Sequence, residues 1–184
     1  GIGCQNPTNG DGFYFQLNSK PFWYEIQFKL YNPNVTSMFV GLDENQYNSQ
    51  SSFTGSLSTL TPVSGNETIG WNNSSNGTTA TFQSVCSGTS GVTTDTETSL
   101  TNNYTVTLGI YYNGNISDGV HFYQNIAQYH SNAGAPTYKN TITTNLPGAS
   151  TKLYPKLYIR STGGSAATQF ATMAINYYRF AQLL

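Results

Sequence analysis

The chain has 184 residues, of which 7 are Lys or Arg and 8 are Asp or Glu, so charged residues make up 8% and the net charge is −1. An ordinary soluble domain carries about 25% charged residues, and so few cations cannot neutralise a phosphate backbone, which excludes a nucleic-acid partner. The aromatic content of 14% excludes a disordered chain. No apolar run is long enough for membrane insertion as a spanning helix. The length predicts one domain, residues 1–184.

The first half of the chain alternates between apolar and polar residues with a period of two, which indicates β-strands. In the clearest case, residues 22–31, the even positions are apolar, whereas the odd positions from 23 to 29 carry Trp23 and three polar side chains. This pattern predicts an antiparallel strand with one buried and one solvated face. The other strands predicted in this half span residues 13–17, 37–42, 68–71 and 78–86.

The second half continues the same pattern, with a strong strand at residues 104–112 and a tight-turn signal at Asn113-Gly114. Further strands are predicted at residues 93–100, 120–125, 141–145, 153–160 and 170–184. The chain shows no amphipathic helical stripe. Many short strands separated by turn signals predict an all-β fold, a two-sheet antiparallel β-sandwich.

Two long segments, residues 43–66 and 126–140, interrupt the strands, and long insertions in compact domains often carry function. Sugar-binding sites place an aromatic ring beside amide and hydroxyl groups. The residues in or next to these segments and the nearby turn that fit this description are Tyr47, Trp71, Tyr129, His130, Asn132 and Tyr138. For each of them packing is the alternative role, and Trp71 could belong to the core instead.

The two cysteines, Cys4 and Cys86, both lie beside turn-like sequence. They could be two unrelated buried thiols, but a composition typical of extracellular proteins favours a disulfide bridge. Closing a loop of about 80 residues would contribute about 4 kcal/mol in the chain-entropy model.

N-glycosylation sequons are frequent in the sequence. They begin at Asn34, Asn66, Asn72, Asn73, Asn76, Asn103 and Asn115. Abundant Asn, Ser and Thr generate part of this set by chance, so the sequons fit an exported glycoprotein without establishing one.

Five stretches of the second half resemble concanavalin-A-like (laminin-G-like) jelly rolls: residues 104–112, 119–125, 144–147, 154–164 and 174–180. Asn176 departs from the acidic residue often found at that place in the last strand. With the Thr-rich segment 91–98, the layout resembles domains of phage and archaeal-virus tail fibres, spikes and decoration proteins. The resemblance implies a lectin-like module on a virion, and we expect it to be the C-terminal head of a longer viral surface protein.

Catalytic chemistry finds little support in the sequence. Asp95 and Glu97 share one strand face but lack aromatic neighbours, so we expect two solvated carboxylates rather than a glycosidase pair. His121 lies in an apolar strand, which favours a structural histidine. No residue spacing defines a metal site, although Asp43, Glu44 and Asp118 could supply oxygen ligands to calcium.

We therefore expect a non-enzymatic protein of the virion surface or extracellular space that attaches to host cells by binding a cell-surface glycan or glycoprotein. Its partners would also include other virion proteins, with no nucleic acid, no membrane insertion and no required cofactor, and it could form a homotrimer. Two alternatives stay open. One is a structural capsid, turret or decoration protein that binds no sugar, and the other is a secreted glycan-active enzyme or its carbohydrate-binding module.

Overall fold

The computed structural model describes residues 13–18, 20–31, 36–45, 53–54, 61–63, 65–75, 80–100, 104–128, 133–161 and 172–182. The described chain forms twelve β-strands and a three-residue 3-10 helix, Ile116–Asp118. The strands are β1 Phe22–Tyr31, β2 Thr36–Asp43, β3 Phe53–Thr54, β4 Thr61–Pro62, β5 Thr68–Ser75, β6 Ala80–Gly88, β7 Gly91–Leu100, β8 Tyr104–Tyr112, β9 Val120–Gln128, β10 Thr137–Ile142, β11 Tyr154–Ser161 and β12 Thr172–Gln182.

Ten of these strands form two five-stranded antiparallel sheets. The first sheet has the order β10-β9-β8-β1-β12, and the second has the order β11-β2-β5-β6-β7. Strands β3 and β4 pair as a separate two-stranded hairpin within the first long insertion. The all-β antiparallel sandwich predicted from the sequence is confirmed.

The core lies between the two sheets and follows from the period-two pattern of β1. Its apolar positions, Tyr24, Ile26, Phe28 and Leu30, are all fully buried. From the second sheet, Trp71 reaches across the core, where its indole N–H donates a 3.2 Å hydrogen bond to the carbonyl of Gly109 in β8. The same ring packs edge-on against Phe122 of β9, so one side chain connects both sheets.

Two predicted strands differ from the observed ones. Residues 13–17 form only one bridge, in which Phe15 and Leu153 exchange backbone hydrogen bonds of 2.8 and 2.9 Å. The strand predicted at residues 141–145 instead occupies Thr137–Ile142, because it pairs with β9 from Thr137 to Ile142. Asn145 has a φ of 51°, a left-handed conformation that a strand does not accommodate.

Polar contacts close one edge of the sandwich, where β7 and β10 approach each other. The Asn140 amide donates hydrogen bonds of 2.8 Å to Ser84 Oγ and to Asp95 Oδ2. Thr93 and Thr144 add a 2.9 Å contact between their hydroxyls. Asp95 therefore connects the two sheets. The expectation that it forms no glycosidase pair stays a prediction.

The described parts of the two long insertions lie on opposite outer faces of the sandwich. Near β4, the carbonyl of Val63 accepts a 3.4 Å hydrogen bond from Ser87 Oγ of the second sheet. Residues 133–136, which we call the strap, lie on the first sheet, where Gln27 donates a 2.7 Å hydrogen bond to the carbonyl of Ala133. Away from the strap, the rings of Trp23, Tyr111, His121 and Tyr123 on the outer face of the first sheet are only partly buried.

Candidate functional site

The outer face of the first sheet, which points away from the core, carries aromatic and polar side chains in three rows across the strands. The strand register defines these rows. The first row contains Trp23, Tyr111, His121 and Thr141. The second row contains Arg179, Glu25, Gly109, Tyr123 and Tyr138. The third row contains Tyr177, Gln27, Thr107 and Asn125.

Five rings of the first two rows contact one another and form what we call the aromatic platform: Trp23, Tyr111, His121, Tyr123 and Tyr138. Ring centroids lie 5.2 Å apart for Trp23 and Tyr123 and 5.8 Å apart for Tyr123 and Tyr138. Tyr111 stacks on His121 at 5.9 Å. Tyr138 is 57% exposed, so the platform offers ring surface to a ligand across four neighbouring strands, a width of about 14 Å.

Gly109 lies beneath the platform and makes room for the Trp23 indole. A Cβ atom at this position would stand 3.1 Å from two indole carbons and 3.2 Å from the Cβ of Tyr123. Because such contacts are tighter than ordinary packing, a side chain at this position would displace the ring.

A buried carboxylate stands at the side of the platform. Glu25 is 2% exposed although it lies on the outer face. Its Oε1 accepts 2.6 Å hydrogen bonds from the Tyr177 hydroxyl and from Arg179 Nη2. Its Oε2 accepts a 3.0 Å hydrogen bond from the Trp23 indole N–H. Both carboxylate oxygens are therefore satisfied, as burial of a charge requires.

The third row supports the strap. Gln27 is 8% exposed, and its amide nitrogen also donates to Thr107 Oγ1 at 3.0 Å while its oxygen accepts from Asn176 at 2.9 Å. Asn125 donates a 3.0 Å hydrogen bond to the carbonyl of Ala135. Two side-chain amides thus fix the strap over the third row, and the strap bounds the platform on that side.

The electrostatics of this face keep the Tyr123 and Tyr177 hydroxyls protonated and the Arg179 guanidinium charged. Burial raises the pKa of Tyr123, with the neighbouring Tyr111 and Tyr138 adding to the effect. Burial also raises the pKa of Tyr177, followed by its hydrogen bond to the Glu25 carboxylate. The hydrogen bond to Glu25 raises the pKa of Arg179. At neutral pH the face therefore presents hydroxyl and guanidinium donors.

The structure places the predicted sugar-binding residues unequally. Tyr138 is exposed on the aromatic platform. The prediction for Trp71 is wrong, because its ring is fully buried and its only N–H is bonded to Gly109 within the core. Tyr47, Tyr129, His130 and Asn132 lie outside the described residues.

Most of the platform was missed by the sequence analysis. His121, expected to be structural, lies on the outer face with Nδ1 2.8 Å from Thr141 Oγ1. The usable signal was Trp23, a large aromatic residue on the polar face of an amphipathic strand. Tyr111 and Tyr123 could have been found in the same way, since they alternate with core residues of β8 and β9.

Two of the predicted glycosylation sites do not fit the structure. Asn72 and Asn73 are buried, and the Asn73 amide donates a 2.8 Å hydrogen bond to the carbonyl of Thr36. A glycan on either nitrogen would need space that the packed sheet does not leave. Asn115 is exposed and Asn66 is partly exposed, so both stay candidates. Asn34, Asn76 and Asn103 lie outside the described residues.

Cys86 is fully buried, it forms no disulfide with a described residue, and burial raises the pKa of its thiol. Its predicted disulfide partner, Cys4, lies outside the described residues. The bridge therefore stays a prediction.

The carboxylates considered for calcium already have protein partners. Asp43 Oδ1 accepts a 2.8 Å hydrogen bond from the backbone N–H of Asn45. The Lys156 ammonium donates to the backbone carbonyl of Asn45. Asp118 is exposed and accepts a 2.7 Å hydrogen bond from Asn113. Within the described residues no group of three His, Cys, Asp or Glu side chains could hold a metal ion. Glu44 lies near Asp43 and Glu67, but these three carboxylates do not form such a group.

A concavity of about 250 Å³ lies beside the end of β12. Its lining residues are Phe13, Tyr14, Gln16, Asn18, Lys20 and Gln182. Among the described residues of this lining there is no carboxylate and no histidine. The outer face of the first sheet is therefore the stronger candidate site.

Comparison with known proteins supports the fold. No protein-family model and no curated protein matches the sequence. Among solved structures, the chain is similar to an alginate lyase from Pseudomonas aeruginosa, with a TM-score of 0.53 and 11% sequence identity. The match covers 93% of this chain and 68% of the lyase chain. The likeness confirms the predicted jelly-roll β-sandwich, and the resemblance to viral tail fibres and spikes stays a prediction.

In the described part of the chain, no helix has the length and apolar character needed to cross a membrane.

Proposed function

We propose that this protein is a non-enzymatic carbohydrate-binding β-sandwich and that the aromatic platform is its glycan site. Sugar rings present apolar faces that stack on aromatic side chains, while their hydroxyls need hydrogen-bond partners. The platform supplies the rings, and Asn125, Arg179 and the Tyr138 hydroxyl supply polar groups at its border.

The single observation that carries this proposal is the continuous contact among five rings on an outer sheet face. Rings that serve only the core of a sandwich point between the sheets, as Trp71 does. The platform rings point the other way and stay partly exposed, which leaves apolar surface unburied at a cost of about 25 cal/mol per Å². A bound ligand would bury that apolar surface and recover this free energy.

A glycan microarray tests the proposal, followed by calorimetry on the best ligands. We expect Trp23→Ala and Tyr138→Ala to weaken binding about 2- to 12-fold each, since one aromatic contact contributes about 0.5–1.5 kcal/mol. Tyr14→Ala, in the concavity beside β12, is the matched control and should bind like the parent protein. Binding lost in Tyr14→Ala and kept in the platform variants would move the site to that concavity.

We further propose that the glycan belongs to a host cell surface and that the protein acts on a virion. There it would assemble with other virion proteins and with two further copies of itself as a homotrimer. The support is the sequence resemblance to viral fibre and spike domains together with the proposed glycan site. Binding to host cells and to the same cells after enzymatic deglycosylation tests this role. Equal binding to both would leave attachment without its glycan and would favour a structural capsid or decoration protein.

A glycan-active enzyme is the second candidate. His121 and Tyr123 lie two residues apart on the platform and are the residue types that donate or accept protons in catalysis. The similar solved structure is named an alginate lyase. Release of new chain ends from a polysaccharide by the parent protein, but not by His121→Ala, would establish this activity.

A further inference from the structure

Charge is distributed unevenly on the proposed glycan face. The whole chain has a net charge of −1. Among the described residues, the three rows and the adjoining end of β1 carry two cations, Lys29 and Arg179, and one carboxylate, Glu25. The outer face of the first sheet is therefore more positive than the protein as a whole.

The one carboxylate of this face does not oppose an anionic ligand. Glu25 is 2% exposed and accepts hydrogen bonds from Trp23, Tyr177 and Arg179. A carboxylate that is buried and neutralised by a guanidinium contributes little negative potential at the surface. An approaching anion consequently meets the cation rather than its partner.

Arg179 keeps hydrogen-bonding capacity for a ligand. A guanidinium has five N–H donors in a planar fork, and Glu25 engages it through Nη2. The side chain is 62% exposed and lies over the Tyr177 ring at 5.0 Å. The remaining donors match the geometry of a carboxylate or a sulfate.

Glu25 also fixes the distance between the cation and the stacking ring. The Trp23 indole N–H and the Arg179 guanidinium bond to different oxygens of the same carboxylate. Neither side chain can shift far without losing that bond. A sugar that stacks on Trp23 therefore presents its substituents within reach of a guanidinium whose position is already set, which reduces the entropy lost on binding.

We propose that the ligand is an anionic glycan, whose sugar ring stacks on Trp23 while its carboxylate or sulfate group is bound by Arg179, with Glu25 as the positioning residue. This inference rests on the proposed function, because it assigns a substrate class to the same site. It separates this face from one that binds neutral sugars by stacking alone.

Matched pairs of polysaccharides test the inference by calorimetry. The probes are a polyuronate and its carboxyl-reduced neutral counterpart, and a sulfated glycan and its desulfated counterpart. We expect at least one acidic member to bind more tightly than its neutral partner, and the two pairs distinguish carboxylate from sulfate. Arg179→Gln should weaken acidic binding about 10-fold, the loss expected for one charge-assisted contact, and should weaken neutral binding less, because a neutral sugar makes no ionic contact with the guanidinium.

Arg179→Lys and Lys20→Gln complete the design. Arg179→Lys keeps the charge but loses the planar fork, so it should recover only part of the affinity. Lys20→Gln removes an exposed cation outside the platform and should have no effect. If acidic and neutral polysaccharides bind with equal affinity, and Arg179→Gln changes neither affinity, the anionic inference is overturned while the glycan-binding proposal stands. Absence of binding to every polymer overturns the proposed function itself.

Discussion

The indole N–H of Trp23 donates a 3.0 Å hydrogen bond to Glu25 Oε2, two residues along the same face of β1. A ring that stacks on ligands is thereby tied to a carboxylate that is itself buried and held by Arg179. A tethered ring has fewer orientations to lose when a ligand binds. The contact converts an exposed tryptophan into a preorganised surface.

Glu25→Ala should destabilise the protein. The substitution leaves the Trp23 N–H, the Tyr177 hydroxyl and the guanidinium without their common acceptor. Loss of a partner costs about 1–3 kcal/mol for a buried polar group, and we expect an unfolding free energy lower by about that amount in urea titration. Glu25→Gln keeps an acceptor oxygen and should lose less. An unchanged denaturation midpoint in Glu25→Ala would show that the network is not structural.

The two tryptophans should separate stability from binding. Trp71→Ala removes a fully buried ring that connects the sheets, so it should cost about 3–5 kcal/mol of unfolding free energy. Trp23→Ala removes a partly exposed ring and should cost much less. Only Trp23→Ala should abolish stacking in the folded state. Chemical denaturation and glycan binding on both variants measure this difference, and a larger stability loss for Trp23→Ala would contradict it.

Period-two alternation was sufficient to predict the sandwich, because a strand between core and solvent must place apolar side chains on one face. It could not predict which outer face carries a site. That choice depends on which strands neighbour each other, and Trp23 and Tyr111 are adjacent only through the pairing of β1 with β8. Trp71 was misassigned because the two residues that follow it are polar Asn residues, although its ring points into the core.

Gly109→Val should disturb the platform while preserving the strand. Valine is favourable in strands, but its side chain would collide with the Trp23 indole, whose ring carbons stand 3.1 Å from the position of a Cβ. We expect glycan binding to fall about 10-fold through loss of the ordered ring. Gly109→Ala should produce a smaller loss. Tryptophan fluorescence reports the displacement, because the only other indole, Trp71, is buried. Unchanged binding in Gly109→Val would mean that the ring position is unimportant.

Asn140→Ala should loosen the sandwich edge without affecting the platform. The Asn140 amide donates to both Ser84 and Asp95 at 2.8 Å. Loss of these two bonds should lower the unfolding free energy by about 1–2 kcal/mol.

Asp95→Asn should retain glycan binding, because Asp95 holds the sheets together and lies outside the platform. A loss of binding or of polysaccharide cleavage in Asp95→Asn would return this carboxylate to a catalytic role.

Ionisation of Glu44 should lower the stability of the folded protein, whereas ionisation of a carboxylate paired with a cation raises it. Burial raises its pKa, and the nearby Glu67 and Asp43 carboxylates raise it further, against a lowering hydrogen bond from the backbone of Glu67. Lys156, which is partly buried, stands next to Asp43 and donates to the carbonyl of Asn45. Because the folded-state pKa lies above that of the unfolded chain, the folded protein binds this proton more tightly. The resulting stability is fully present below the unfolded pKa and is lost as the pH rises through the folded pKa.

Glu44→Gln should therefore raise the melting temperature at about pH 7, where the parent carboxylate is ionised, and change it little at about pH 3, where that carboxylate is already neutral. Glutamine keeps an oxygen that can accept the backbone hydrogen bond of Glu67, so the substitution removes charge rather than the contact. Thermal unfolding of both proteins at the two pH values provides its own control. A lower melting temperature for Glu44→Gln at neutral pH would show that the ionised carboxylate stabilises the fold, for example through Lys156, and that its repulsion by Glu67 and Asp43 is the weaker effect.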